Sequence, residues 1–97
     1  MSSIIQHSLV VVVKNAEGLH MRPASKLVQT AANFQSQIEL EREGQVADCR
    51  SILNLLTLAA PQGCELTLRV QGPDAELAMQ AIGDLFERQF DEPITAD

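Results

Sequence analysis

One segment of the sequence combines residue types that could carry a phosphoryl group. Gly18-Leu-His-Met-Arg-Pro-Ala24 places His20 two residues before Arg22, just ahead of an apolar helical pattern. The free N–H groups and the macrodipole of a helix start attract an anion, and the arginine fork matches the geometry of phosphate. A neutral imidazole beside such a cradle is a nucleophile. The segment therefore predicts reversible phosphorylation of His20, although a capping or surface histidine would also fit this position.

Composition excludes several other classes of function. The chain has 97 residues, 45% hydrophobic and 21% charged, which predicts one globular domain. Three aromatic residues and a net charge of −6 argue against a nucleic-acid partner. The longest apolar run, Leu9 to Val13, is five residues, whereas a membrane span needs roughly 20. We therefore expect a cytoplasmic protein without membrane insertion, with two reduced cysteines and no metal site.

The charge is unevenly distributed along the chain. Lys14, Arg22 and Lys26 against Glu17 give the first 38 residues a net charge of +2, so the remainder carries −8. An anionic ligand is therefore expected in the first third of the chain.

The spacing of apolar residues predicts the elements that position His20. The β-branched run from Leu9 to Val13 is typical of a central strand, and the stripe from Ala24 to Ala31 predicts a helix that begins at about His20 or Met21. The remaining predicted elements are a hairpin over residues 37–47, a short helix from Ile52 to about Leu58 with Ser51 as its N-cap, a strand from Cys64 to Val70, and a last helix with an apolar stripe from Ala78 to Phe86.

The order β-α-β-β-α-β-α predicts an α+β domain. We expect a two-layer open-faced sandwich in which a four-stranded antiparallel sheet carries three helices on one face. A single domain would span residues 1–97, with a core over about 8–90 and a flexible tail over 91–97.

Two separated motifs resemble a known family. The Gly18–Ala24 segment closely resembles the phosphohistidine signature of HPr, the histidine-containing phosphocarrier family of the bacterial phosphotransferase system. The segment from Ser51 to Leu58, followed by Gln62-Gly63, resembles the regulatory-serine segment of that family at the usual distance from the histidine. The resemblance covers about residues 8–90 and includes the order of the elements.

This resemblance implies a phosphoryl carrier rather than a stand-alone catalyst. His20 would accept the phosphoryl group from phosphorylated enzyme I, through the ring nitrogen nearer the backbone, and pass it to an enzyme IIA-type acceptor. Arg22 would hold the phosphoryl oxygens, and the backbone at Gly18, Met21 and Arg22 would complete the cradle. The resemblance implies a monomer with no cofactor of its own.

The resemblance also implies a docking surface and a regulatory site. Docking would use residues around His20 that could otherwise be ordinary core or surface, namely Met21, Ile52, Leu53, Leu56 and the basic Arg50. A serine kinase and a phosphatase would act on Ser51, and the alternative is that Ser51 is only a helix cap.

One residue departs from the pattern of the family, and the branch of the family stays open. Glu17 would add a negative charge near the phosphoryl group, or it would point into solvent. The end of the chain, with Phe90-Asp91-Glu92, looks more like the nitrogen-related branch. The alternative functions are a regulatory binding module that signals through protein contacts and an unrelated domain that binds a metabolite.

Overall fold

Alternating apolar and polar residues build a four-stranded antiparallel sheet. The computed structural model describes residues 6–92. Its strands β1 (Gln6–Val12), β2 (Gln37–Arg42), β3 (Gln45–Asp48) and β4 (Glu65–Gln71) lie in the order β1-β4-β2-β3. Leu68 lies opposite Leu9 on one side and Leu40 on the other. Because alternate side chains share a face, this register directs one apolar row from each strand toward the helices.

Three helices bury apolar stripes against this sheet. They are α1 (Met21–Ala31), α2 (Ile52–Thr57) and α3 (Ala75–Glu87). Ala24, Leu27 and Ala31 of α1 are fully buried, as is Ile82 of α3. The order β-α-β-β-α-β-α and the open-faced sandwich are confirmed. Within residues 6–92 no helix has both the length and the apolar character needed to cross a membrane.

The first strand differs from its prediction because it lies at an edge of the sheet. β1 pairs with β4 alone, and Val10 on its outer side is 58% exposed. A β-branched run shows that residues fit a pleated surface, but it does not distinguish a central strand from an edge strand.

The loop before α1 is fixed by the segment that follows α2. Leu19 donates its N–H to Ala60 O at 2.9 Å, and Gly63 donates to Val13 O at 2.7 Å. Gly18 has a φ of +73°, and a Cβ at this position would collide with the carbonyl oxygen of Ala60. Only glycine meets both conditions without strain. These contacts determine where α1 begins and therefore where His20 lies.

The chain continues beyond α3 into a left-handed turn. Gln89, Phe90 and Asp91 have φ values of 54°, 55° and 60°, and we call these three residues the C-terminal turn. The Phe90 ring is fully buried and meets Phe86 edge-on with 4.8 Å between the ring centroids. Left-handed backbone costs roughly 1–2 kcal/mol per non-glycine residue, so burial of Phe90 must offset part of that cost.

The sequence predicts a flexible tail from residue 91, but the ordered contacts of the chain include Asp91 and Glu92. Asp91 belongs to the C-terminal turn, and the Glu92 side chain, only 14% exposed, lies against His20. The segment over 93–97 is outside the described residues.

Candidate functional site

His20 is the N-cap residue of α1, but its side chain does not cap the helix. Its backbone is extended, with φ −89° and ψ −166°, and its ring accepts no hydrogen bond from the first turn. Within residues 6–92 the N–H groups of Met21 and Arg22 therefore have no acceptor, and Pro23 has no N–H to satisfy. Two free donors and the positive end of the helix dipole remain available to an anion beside the imidazole.

The imidazole contacts a carboxylate from the far end of the chain. Nε2 of His20 lies 3.1 Å from Oε2 and 3.2 Å from Oε1 of Glu92. Nε of Arg22 is 3.9 Å from the same Oε2. Glu92 therefore brings a negative charge to both residues of the predicted phosphohistidine motif.

Asn15 fixes the position of this carboxylate. The Asn15 side chain is 1% exposed, and its Nδ2 donates to Oε1 of Glu92 at 2.5 Å and to the carbonyl of Gln89 at 2.9 Å. The C-terminal turn is also held by Lys26, whose Nζ donates to Phe90 O at 2.6 Å. The loop before α1, the helix itself and the chain end thus meet at one point.

The surroundings of Glu92 favour its ionised form. Burial acts to raise its pKa, but hydrogen bonds from Asn15 and His20, followed by the charges of His20 and Arg22, act in the opposite direction. These interactions prevail and hold the pKa of Glu92 below its ordinary value of 4.5. The group is therefore a carboxylate at neutral pH and can only accept hydrogen bonds.

These residues line a cavity of about 450 Å³. Its walls come from the loop before α1, the first turn of that helix and the chain end: Asn15, Ala16, Glu17, His20, Met21, Arg22, Gln89 and Glu92. In the described part of the chain, no three His, Cys, Asp or Glu side chains are grouped so that they could hold a metal ion. The cavity brings together an imidazole, a guanidinium, two carboxylates and free backbone donors.

The residues predicted to bind the phosphoryl oxygens lie close together, but Gly18 has a different role from the one predicted. His20, Met21 and Arg22 border the same cavity. Gly18 does not offer a free donor, because its N–H is bound to Asn15 O at 2.9 Å. Its contribution is the close approach of the backbone to Ala60 described above.

The predicted docking residues differ in how accessible they are. Met21 is 58% and Leu53 is 76% exposed, whereas Ile52 and Leu56 are half-buried and pack against the core. Exposed methionine and leucine side chains are available to a partner surface.

Arg50 is exposed and also has a structural role. Its guanidinium donates to the carbonyls of Ala31, Phe34 and Ser36, at the C-terminal end of α1. An α-helix of 11 residues is about 16 Å long, so this contact is far from His20. The guanidinium supplies donors to three carbonyl groups in the segment where α1 ends.

Ser51 is an N-cap, as its position in the sequence predicts. Its Oγ accepts the N–H of Asn54 at 3.1 Å, and its backbone is extended, with φ −126° and ψ 112°. The hydroxyl that a kinase would modify is therefore engaged with the first turn of α2.

Sequence reasoning missed Asn15 and Glu92. It considered Glu17 as the acid near His20, but that residue is exposed and makes no hydrogen bond or ion pair within residues 6–92. Asn15 belongs to a polar loop that gives no sign of burial. Glu92 follows three non-glycine residues whose left-handed conformation no local pattern predicts.

Of the two cysteines, Cys49 offers no competing nucleophile. Both are free, and Cys49 is fully buried. Burial, followed by the negative charge of Asp48, raises the pKa of its thiol to about 12. Because the thiolate is the reactive form, Cys49 is inert at neutral pH.

The chain is similar to proteins of one known family over most of its length. A family model described as "PTS HPr component phosphorylation site" matches residues 8–88. The chain is 42% identical over 89 residues to a phosphocarrier protein HPr from Xylella fastidiosa (strain 9a5c), covering 92% of this chain and 98% of that protein. It is 38% identical over 80 residues to a multiphosphoryl transfer protein of Vibrio cholerae, covering 79% of this chain but only 20% of that longer protein.

A solved structure agrees with the fold. The crystal structure of HPr-C-His from Thermoanaerobacter tengcongensis has a TM-score of 0.86 at 38% sequence identity. The match covers 91% of this chain and 99% of the other. The three-dimensional arrangement is therefore similar over nearly the whole described region.

Proposed function

We propose that His20 is the phosphoryl-accepting residue of this chain, which belongs to the HPr family of phosphocarrier proteins. The protein is a phosphocarrier of the phosphotransferase system. The observation that carries the assignment to His20 is its place beside two backbone N–H groups that have no acceptor in the described chain. His7, the other histidine, lies within β1 opposite Val70 of β4 and belongs to no helix start.

The transfer itself requires a nucleophile and an anion cradle. The unprotonated ring nitrogen of His20 attacks the phosphorus atom, and the bond between phosphorus and the donor breaks as the new nitrogen–phosphorus bond forms. The N–H groups of Met21 and Arg22 and the guanidinium of Arg22 bind the phosphoryl oxygens, where negative charge is concentrated. Transfer to the acceptor is the same step in reverse.

Phosphorylated enzyme I is the donor in this proposal, and an enzyme IIA-type protein is the acceptor. Both proteins must approach the same histidine, so one surface serves two partners in turn. The exposed side chains of Met21 and Leu53 supply apolar area for such contacts, since apolar anchors contribute most where water is excluded. The proposal places this exchange in the cytoplasm, with the protein acting as a monomer.

Incubation with enzyme I and phosphoenolpyruvate tests this proposal. Intact mass should show one added phosphoryl group, and the modification should be lost in acid, because phosphohistidine is acid-labile whereas phosphoserine is stable. A regulatory binding module would bind partners without gaining this mass. The absence of an acid-labile phosphoryl group on the folded protein would exclude the assignment to His20.

A further inference from the structure

We propose that Glu92 is a positioning residue for phosphoryl transfer, because its carboxylate selects the tautomer of His20. This inference rests on the proposed function, since it concerns the same imidazole. It deepens that function by assigning a role to a residue 72 positions away along the chain.

The selection follows from the hydrogen-bonding capacity of the two groups. A carboxylate only accepts hydrogen bonds, and a neutral imidazole has one protonated and one unprotonated nitrogen. Nε2 faces both oxygens of Glu92 at 3.1 and 3.2 Å, so Nε2 must carry the proton. Nδ1, which has no hydrogen-bond partner in the described chain, then holds the free lone pair. Nδ1 is the ring nitrogen nearer the backbone, and the free N–H groups of Met21 and Arg22 follow directly after this residue.

The carboxylate also matches the charge that develops during transfer. When Nδ1 forms its bond to phosphorus, the ring gains positive charge while the proton stays on Nε2. The negative charge of Glu92 stabilises this cationic ring. No proton needs to move, and the return step restores the neutral ring with its original tautomer.

Several independent contacts fix Glu92 in this position. Asn15 is buried and donates to both the carboxylate and Gln89 O, while Lys26 binds Phe90 O. The buried ring of Phe90 anchors the C-terminal turn against the core. A strained backbone segment persists only where its surroundings hold it, and here they hold one carboxylate against one imidazole nitrogen.

A different role for the same carboxylate would be to block the site, since Glu92 also lies 3.9 Å from Nε of Arg22. The geometry favours positioning over blocking for two reasons. The carboxylate contacts Nε2 and not Nδ1, and the free N–H groups of Met21 and Arg22 are left without an acceptor. A blocking group would occupy those donors.

Two substitutions at one position separate these roles. In Glu92→Ala nothing selects the tautomer, so both forms of neutral His20 should be populated. In Glu92→Gln, Asn15 donates to the amide oxygen, and the amide NH₂ then faces Nε2 and donates to it. We therefore expect Glu92→Gln to invert the tautomer and leave the proton on Nδ1. Glu87→Gln is the matched control, because it removes the same charge from an exposed side chain at the end of α3.

The readouts are the ring-nitrogen NMR spectrum of His20 at a pH where the ring is neutral and the rate of transfer from phosphorylated enzyme I. The wild type should show the proton on Nε2. Glu92→Ala should transfer several-fold more slowly, and Glu92→Gln should be slower still, by about tenfold or more, as expected when a hydrogen-bonding carboxylate that sets a catalytic tautomer becomes an amide. Glu87→Gln should match the wild type in both measurements.

The proposal is overturned if the wild-type proton is on Nδ1, or if either Glu92 variant transfers at the wild-type rate or faster. Faster transfer would identify Glu92 as a blocking group. The spectrum of the unphosphorylated protein needs no partner, so it decides the tautomer even if no phosphoryl group is accepted. A wild type that shows the Nε2 proton but accepts no phosphoryl group would refute the proposed function alone.

Discussion

The His20 side chain contributes chemistry to the site and little to the packing of the domain. Its ring is 31% exposed and caps no N–H group. We expect His20→Ala to lose phosphoryl acceptance completely while its free energy of unfolding changes by about 1 kcal/mol or less, the range of a partly exposed ion pair. Intact mass after incubation with enzyme I and phosphoenolpyruvate, with a thermal melt, measures both quantities.

His7→Ala is the control for this variant, because it removes the other imidazole from β1. It should accept the phosphoryl group as the wild type does. An acid-labile phosphoryl group on His20→Ala would show that another residue is the acceptor.

Arg22 should affect the rate of transfer without being essential to it. Its side chain is 67% exposed, and its removal leaves both the nucleophile and the backbone N–H groups in place. We expect Arg22→Ala to slow transfer by about tenfold to a hundredfold, somewhat less than is typical when a donor that stabilises developing charge is removed from a buried site. Stopped-flow or quenched transfer from phosphorylated enzyme I measures this rate.

Arg69→Ala is a suitable comparison, because Arg69 pairs with Glu41 on the open face of the sheet. It changes the net charge equally but leaves the helix start untouched. Equal effects of the two variants would reduce the role of Arg22 to general electrostatic attraction.

The residues of the site differ in how far the sequence could predict them. His20 and Arg22 lie two positions apart in the chain, and their helix start follows from a local apolar stripe. Glu92 reaches the same site through a turn in which three non-glycine residues take positive φ, a conformation that depends on burial of Phe90 and on contacts from Asn15 and Lys26. Local patterns contain no information on such contacts.

At the scale of the elements, α2 connects the predicted regulatory site with the docking surface. Its N-cap is Ser51, and its exposed Leu53 is one of the predicted docking residues. Aspartate is as good an N-cap as serine, whereas alanine at this position costs about 1 kcal/mol. If phosphorylation of Ser51 regulates docking, Ser51→Asp should keep the melting temperature and slow transfer from enzyme I. Ser51→Ala should lower the melting temperature and keep the transfer rate. Melting curves and transfer rates of the two variants test this prediction.

The corresponding control is Ser8→Asp, which adds the same charge to the exposed side of β1. It should not slow transfer. A Ser51→Asp protein that transfers as fast as the wild type would leave Ser51 as a cap with no regulatory role.

Asp74 makes the start of α3 sensitive to acid. Its carboxylate accepts hydrogen bonds from the Ser36 hydroxyl and from the N–H groups of Gln35 and Ser36. The Ser36 hydroxyl and then the Gln35 N–H lower the pKa of Asp74 below its ordinary value of 3.8. The folded protein therefore binds this proton less readily than the unfolded chain, so the stabilisation is complete above pH 3.8 and is lost as the pH falls below that value.

We therefore expect Asp74→Asn to melt at a lower temperature than the wild type at neutral pH, with the difference shrinking as the pH falls below the ordinary pKa of aspartate. Thermal melts over about pH 6 to 2 measure this convergence. Glu76→Gln, in the exposed first turn of the same helix, should show no such trend. A constant difference between Asp74→Asn and wild type would show that the charge of Asp74 does not matter.

At the scale of the whole molecule, local sequence patterns determine some parts of the fold and leave others to long-range packing. Within residues 6–92, the periodic apolar stripes predict the type and order of the strands and of α1, α2 and α3. The position of β1 at an edge of the sheet depends on which distant strand it pairs with. That choice is made by packing of the assembled core, and a short β-branched run is compatible with either place.

Phe90 connects the stability of the domain with the geometry of its site. Its fully buried ring packs on Phe86, so Phe90→Ala should reduce the free energy of unfolding by about 3 kcal/mol. The same variant should release Glu92 and populate both tautomers of His20. Denaturant titration and the ring-nitrogen spectrum measure the two effects, and Leu77→Ala, at a residue 63% exposed on α3, should cause neither.

The hydrogen bond between Asn15 and Glu92 joins residues 77 positions apart, and this has a consequence for the biosynthesis of the protein. A ribosome makes the nucleophile long before the carboxylate, so β1 to β4 and the helices α1 to α3 can be translated before the site is complete. A fragment cut by a protease after Glu87 would keep His20, Met21 and Leu53. Such a fragment would still be able to dock on enzyme I while lacking the group that prepares His20 for transfer, and it would act as a competitor of the intact carrier. Proteolysis between α3 and Glu92 would therefore convert the carrier into an inhibitor.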